Sequence, residues 1–142
     1  MPQRKLDHIG NFNFKVEIEG VTQAAFRNVD GLDSETEIVE YQDGDDLILR
    51  KRPGRTKYSN IVLKRGYVNT DELWQWRKKV IEGKVERKSG SIILCADDNT
   101  EVMRYNFFDG WPCKWKGFSL DGKGTDVNVE EIELAVEKIE RA

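Results

Sequence analysis

The sequence predicts a mainly β fold, an antiparallel sandwich or barrel carrying one helix, on three observations. Apolar and polar residues alternate with period two in several stretches, turn pairs such as Asp30-Gly31 separate them, and a 3.6-period pattern stands in mid-chain.

The first strand is the clearest. Phe12, Phe14, Val16 and Ile18 alternate with Asn13, Lys15, Glu17 and Glu19, so one face meets a core and the other meets water, and Gly20 ends the run. Val21 to Val29 is expected to close a hairpin against it, with Asp30-Gly31 as the next turn. Leu32 to Tyr41 continues as a polar strand. Ser34, Thr36, Ile38 and Glu40 share one side and Glu35, Glu37, Val39 and Tyr41 the other, and neither side is uniformly apolar. Hydrophobicity alone specifies the register of such a strand weakly.

Gln42 to Gly66, QDGDDLILRKRPGRTKYSNIVLKRG, organises the rest of the chain. From Asp30 to Asp46 there are eight acids and no base, and from Arg50 to Lys57 five bases and no acid. Residues 42–57 read as an extended loop with a turn at Pro53-Gly54, too polar for a core and longer than the roughly 12 to 15 residues of ordinary connections. Tyr58 to Gly66, with Ile61 to Leu63 at its centre, reads as the strand that anchors it.

A helix is predicted over about 70–82. Asn69 caps it with Glu72 three residues on, Asp71 and Glu72 suit the positive end of the dipole, Lys78 and Lys79 the negative end, and Gly83 stops it. Leu73, Trp76 and Val80, with Trp74 and Ile81 on a neighbouring stripe, provide its apolar face. Ser91 to Ala96 and Glu101 to Phe108 are two further strands joined through Asp97-Asp98-Asn99-Thr100. Asp109-Gly110 and Pro112 interrupt the path, Trp111 to Leu120 resumes it, and Asp121-Gly122-Lys123-Gly124 turns it again. At the C-terminus two patterns compete. Ile132, Ala135, Val136 and Ile139 fit a helical stripe, which composition slightly favours, while Val127, Val129, Ile132, Leu134 and Val136 fit strands offset by a bulge near Glu130-Glu131.

Length and composition bound the function. The 142 residues suit one domain spanning 1–142, and 38% hydrophobic residues suffice for its core. A net charge of -3 gives no global field for nucleic acid or anionic membrane. No apolar stretch approaches a membrane span, so no stable membrane anchor is expected, and synthesis in a bacterial cytoplasm is. Cys95 and Cys113 lack metal or redox spacing and read as small buried thiols rather than a disulfide.

No catalytic motif appears, and the chain does not read as an enzyme. His8, the only histidine, lies in a polar lead, and the acidic pairs Asp45-Asp46, Asp97-Asp98 and Glu130-Glu131 suit solvated turns. Neither a cofactor nor a metal is expected. The basic residues 50–57 with Tyr58 would serve a monomeric nucleic-acid-binding β-barrel, although the acids upstream repel the same phosphates. A third reading uses both runs. An acidic surface on one subunit meeting a basic loop on the next is a heterologous contact, and such contacts that do not close generate filaments or stacks.

RPGRTKYSNIVLKRG (52–66), followed by TDELWQWRKKV (70–80), resembles the tail tube proteins of contractile bacteriophages and related injection systems. NFNFKVEIEG (11–20) and FRNVDGLDSETEIVEY (26–41) resemble the first strands of the same family. The hemolysin-coregulated protein of type VI secretion is a more distant relative. The resemblance implies a structural subunit whose strands complete a ring β-barrel on hexamerisation, with rings stacked head to tail into a tube for DNA or effector cargo. It implies as partners other copies of the chain, a sheath protein, and baseplate and tail-terminator proteins, in a virion tail or an extracellular or cytoplasmic contractile particle. A baseplate-proximal initiator or adaptor of the same fold is the near alternative. The resemblance also favours a bulged strand for residues 127–139. Carried onto the 42–57 loop, it places Asp43, Asp45, Asp46, Arg50, Lys51, Arg52, Arg55 and Lys57 at the contact between subunits or rings.

Overall fold

The computed structural model describes residues 13–21, 26–65, 71–117 and 129–142. The expectations for His8, Phe12, the Asn69 cap, the 121–124 turn and residues 127–128 lie outside them. Nine strands and one helix follow in the order β1 (Asn13–Ile18), β2 (Asn28–Asp30), β3 (Ser34–Tyr41), β4 (Arg50–Tyr58), β5 (Ile61–Arg65), α1 (Glu72–Ile81), β6 (Lys88–Cys95), β7 (Glu101–Lys116), β8 (Glu130–Ala135) and β9 (Lys138–Arg141). Seven form one sheet in the order β1-β6-β7-β8-β5-β2 with β9 also on β7, and β3 and β4 form a separate ribbon. Every pairing between the named strands is antiparallel.

β7 is the spine. One edge of Glu101–Gly110 pairs with β6, while the other edge takes β9 at Tyr105–Phe108 and β8 at Trp111–Lys116. The turn residues in its middle, expected to divide it into two strands, are absorbed instead as irregularities. Asp109 takes φ 54, and the register shifts near Gly110 and again between Pro112 and Lys114. A long strand pairing with different partners along its length needs such bulges, because each extra residue bends it and increases its twist.

The C-terminus is strand, as the family resemblance implied and composition did not. Its break falls at Val136-Glu137 rather than near Glu130, where the Glu137 amide bonds the Phe108 carbonyl at 3.1 Å. The first-hairpin expectation is also corrected. Among the described residues, only an isolated Ile18–Val21 bridge follows β1 before β2, and β2 pairs with β5. Val29 and Asp30 find their ladder partners in Leu63 and Val62 of β5, not in β1, which pairs with β6.

The buried face of the sheet carries Val16, Ile18, Ile61, Leu63, Ile92, Phe107, Ile132 and Leu134, and α1 closes it with Leu73 and Trp76. The Trp76 indole N–H donates to the Glu86 carbonyl at 2.7 Å, so its polar atom is satisfied at the core edge. Asp71 stands at the helix N-cap without a side-chain capping bond. At the other end Gly83, at φ 83, completes a Schellman motif: its amide donates to the Val80 carbonyl and the Lys84 amide to that of Lys79.

The most buried ion pair among the described residues lies within this frame. Arg65, 3% exposed, donates through Nε to Glu130 at 2.6 Å and lies 5.8 Å over the Phe26 ring. The pair joins the end of β5 to the start of β8. Glu130→Ala strands a buried guanidinium, and should destabilise the dispersed subunit by about 3–5 kcal/mol, measured by urea denaturation. A loss no larger than that of an exposed-pair variant such as Glu137→Ala would contradict the role assigned to it.

Candidate assembly interface

β3 and β4 build a hairpin from the region that the sequence presents as acidic and then basic. Only residues 42–49 connect strands. Residues 50–57, expected as loop, are the second strand, and Pro53-Gly54 lies inside it rather than at a turn. Proline is tolerated because a two-stranded ribbon consists of edges, where a missing N–H breaks no continuous ladder. The register shifts between Thr36 and Ile38, opposite Gly54 and Arg55. A Cβ on Gly54 would lie 3.0 Å from Val39 Cγ2 and 3.2 Å from the Glu37 carbonyl, so the close approach favours glycine.

The hairpin is rooted by polar contacts. Ser59 Oγ accepts from the Asp33 amide at 3.1 Å and donates to the Gly31 carbonyl, while the Ser59 amide bonds the Asp33 carbonyl. Gly31 has φ +91, and a Cβ there would meet the Asn60 carbonyl oxygen at 1.9 Å. A side chain at this position would force the root apart.

Asp46 organises the tip. Its carboxylate accepts from Arg50 Nε at 2.7 Å and from the Ile48 amide at 3.0 Å, and its own amide and carbonyl bond the Asp43 carbonyl and Gln42 Nε2. The Arg50 hydrogen bond, then the Ile48 amide, hold the Asp46 carboxyl below its ordinary range. Lys57 Nζ lies 3.0 Å from Glu37, whose hydrogen bond raises the lysine above its usual value. Thr36 and Thr56 join their hydroxyls at 2.9 Å.

The eight residues singled out in the sequence therefore divide. Asp46 pairs with Arg50 and Lys57 with Glu37, while Lys51 lies opposite Glu40 and Arg52 opposite Val39. Arg55 stands at the irregularity, and Asp43 and Asp45 are exposed at the tip. The acidic and basic runs face one another across a single ribbon, so much of their charge is opposed within the chain. The hairpin is a mixed-charge surface rather than a continuous basic track.

What sequence reasoning missed is apolar. Leu47, Ile48 and Leu49 project from the tip, with Leu47 97% exposed, and Ile38 on β3 is 64% exposed. Both faces of the ribbon are open, and an isolated two-stranded hairpin is marginally stable in water. Exposed apolar residues gathered on such an element mark an interaction surface. The signal was the Leu-Ile-Leu triplet between Asp46 and Arg50, masked by its charged flanks.

Elsewhere, no cluster of three or more His, Cys, Asp or Glu side chains among the described residues is arranged to hold a metal ion. Cys95 is buried and Cys113 half-buried, both free, and burial, followed by the nearby Glu133 carboxylate, pushes the Cys113 thiol up. No helix among the described residues is long and apolar enough to cross a membrane.

The family model for the T4-like virus tail tube protein gp19 matches residues 10–140. The chain belongs to this tail tube family. A solved extracellular contractile injection system, the PVC sheath-tube complex in its extended state, contains a chain 28% identical to it. The match covers 97% of this chain and 93% of that one, with a TM-score of 0.86. The tube-terminating cap of the anti-feeding prophage holds a chain 24% identical, covering 100% and 95%, at a TM-score of 0.87. Hcp1 from Flavobacterium johnsoniae shares the fold more distantly, at 19% identity over 91% and 94%, with a TM-score of 0.60. A search of curated protein sequences finds no match. The comparisons thus agree with the mainly β, one-helix architecture and place the chain in a family of structural tube proteins.

Because the Asp46 pKa is depressed, its contribution to tip order is complete above the ordinary value of 3.8 and lost as pH falls through the lower folded value. NMR titration of the dispersed subunit should show the Ile48 amide moving with a midpoint below 3.8. A midpoint at or above that value would contradict the tip geometry.

Proposed function

We propose that this chain is the structural subunit of the inner tube of a contractile tail or injection system. It forms hexameric rings that stack head to tail around a channel for DNA or effector cargo, and it performs no catalysis. The observation that carries this reading is the near full-length match to a tail tube family, joined to a 28% identical chain in a solved sheath-tube complex.

The physical fit is direct. The seven-stranded sheet ends in β1 and β2, and closing sheets from several copies into one barrel removes edges that would otherwise template aggregation. The β3–β4 hairpin, rooted on the sheet but open on both faces, is suited to lie on a neighbouring subunit or ring. Asp43, Asp45, Asp46, Arg50, Lys51, Arg52, Arg55 and Lys57 then set orientation and register, because opposed charges give specificity more than affinity. The whole chain from 1 to 142 acts as one tube domain.

A sheath protein around the tube, a baseplate at one end and a terminator at the other complete the partners. Structures containing similar chains are a sheath-tube complex, a sheath/tube terminator and a baseplate. The working location is a contractile particle, after synthesis in a bacterial cytoplasm.

Negative-stain microscopy of the purified chain, alone and with its baseplate and sheath proteins, tests the reading. Six-fold rings or tubes are expected. A species that stays monomeric at high concentration with those partners present would overturn it.

A further inference from the structure

A second surface complements the hairpin tip in charge and in exposed apolar residues. Trp74, Lys78 and Ile81 lie along one flank of α1, and the exposed Lys84 and Val85 follow the Gly83 stop in sequence. Trp74, Ile81 and Val85 are exposed although the opposite flank, through Leu73 and Trp76, is core. Trp74 is held in place by edge-on contact with Trp115, ring centroids 5.3 Å apart, so the flank is built rather than loose.

Its charges are unspent. Lys79 and Lys88 are engaged by Glu86, but Lys78 and Lys84 have no ion-pair partner among the described residues. The same holds for Asp43 and Asp45 at the hairpin tip, where Asp46 alone is paired. One surface thus offers two free acids beside Leu47, Ile48 and Leu49, and the other two free bases beside Trp74, Ile81 and Val85.

Within one chain the elements part: β3 and β4 pack on each other and β4 on β9, whereas α1 packs on β7. We infer that the hairpin tip of one copy docks on the α1 flank of another, with Leu47–Leu49 against Trp74 and Ile81 and Asp43 and Asp45 against Lys78 and Lys84. The occupant is a second copy of this chain because its own tip supplies the complementary chemistry. The contact is heterologous, so it propagates from subunit to subunit rather than closing a two-fold dimer. It rests on the tube-subunit reading and specifies which surfaces meet.

Charge exchange tests it. Lys78→Glu with Lys84→Glu, and separately Asp43→Lys with Asp45→Lys, should each lower the polymerised fraction about tenfold, since like charges face each other in a specific contact. The variant carrying all four changes should recover most of it. A disulfide readout is independent of charge: Leu47→Cys with Ile81→Cys, in a Cys113→Ser background, should give a ladder of covalent oligomers on oxidation. Tubes that form normally in both double variants, or a fourfold variant no better than either, would overturn the docking while leaving the tube reading standing. So would a lysine variant that assembles fully but no longer recruits the sheath protein, which would give the flank to the sheath. Failure of the unaltered chain to form rings or tubes with its partners would overturn the tube reading itself.

Discussion

The backbone ladder along β7 is the constraint on which the rest of the molecule depends. A sixteen-residue strand must satisfy hydrogen-bonding groups on both edges. It pairs with β6 along Glu101–Gly110 on one edge, and with β9 at Tyr105–Phe108 and β8 at Trp111–Lys116 on the other. Those pairings set which residues face inward. Phe107, Leu134 and Ile92 then meet one core, and α1 can cover it only with Leu73 and Trp76 turned inward. β5 is pinned to β8 by the same ladder and by Arg65–Glu130, and β5 in turn fixes where the hairpin leaves the sheet.

The sheet and the hairpin follow opposite rules. Sheet residues bury apolar side chains on one face, whereas β3 and β4 keep both faces in water and are joined by their ladder, Thr36–Thr56 and Lys57–Glu37, with Arg50–Asp46 ordering the tip. Exposed pairs of this kind contribute little stability in water. The hairpin therefore depends on its root at Gly31 and Ser59, and is positioned by the core without belonging to it. Such an element suits assembly, because its apolar tip and remaining charges stay exposed.

Legibility in the sequence followed the same division. β1 was readable because Phe14, Val16 and Ile18 face a core while Lys15 and Glu17 face solvent, and α1 because Trp76 and Gly83 occupy positions with clear physical roles. β4 was not, since Pro53-Gly54 speaks locally for a turn and only pairing with β3 shows that a ribbon edge tolerates both. β7 was divided for a similar reason: Asp109-Gly110 and Pro112 serve as bulges that let one strand change partners. At the C-terminus, Ile132 and Leu134 fit either period, and tertiary pairing with β5 and β7 decided. In the hairpin the acidic and basic runs stand in the sequence, but their mutual pairing and the exposure of Leu47 do not, because both depend on the fold of the ribbon.

Hydrogen–deuterium exchange of assembled particles against dispersed subunits tests assembly through the hairpin most directly. If the ribbon is covered by neighbouring copies, amides across residues 34–58 should exchange about tenfold or more slowly in the assembled state, with the largest change at the 42–49 tip. Exchange across 34–58 that is equal in the two states, while the β1 and β2 edges become protected, would contradict it.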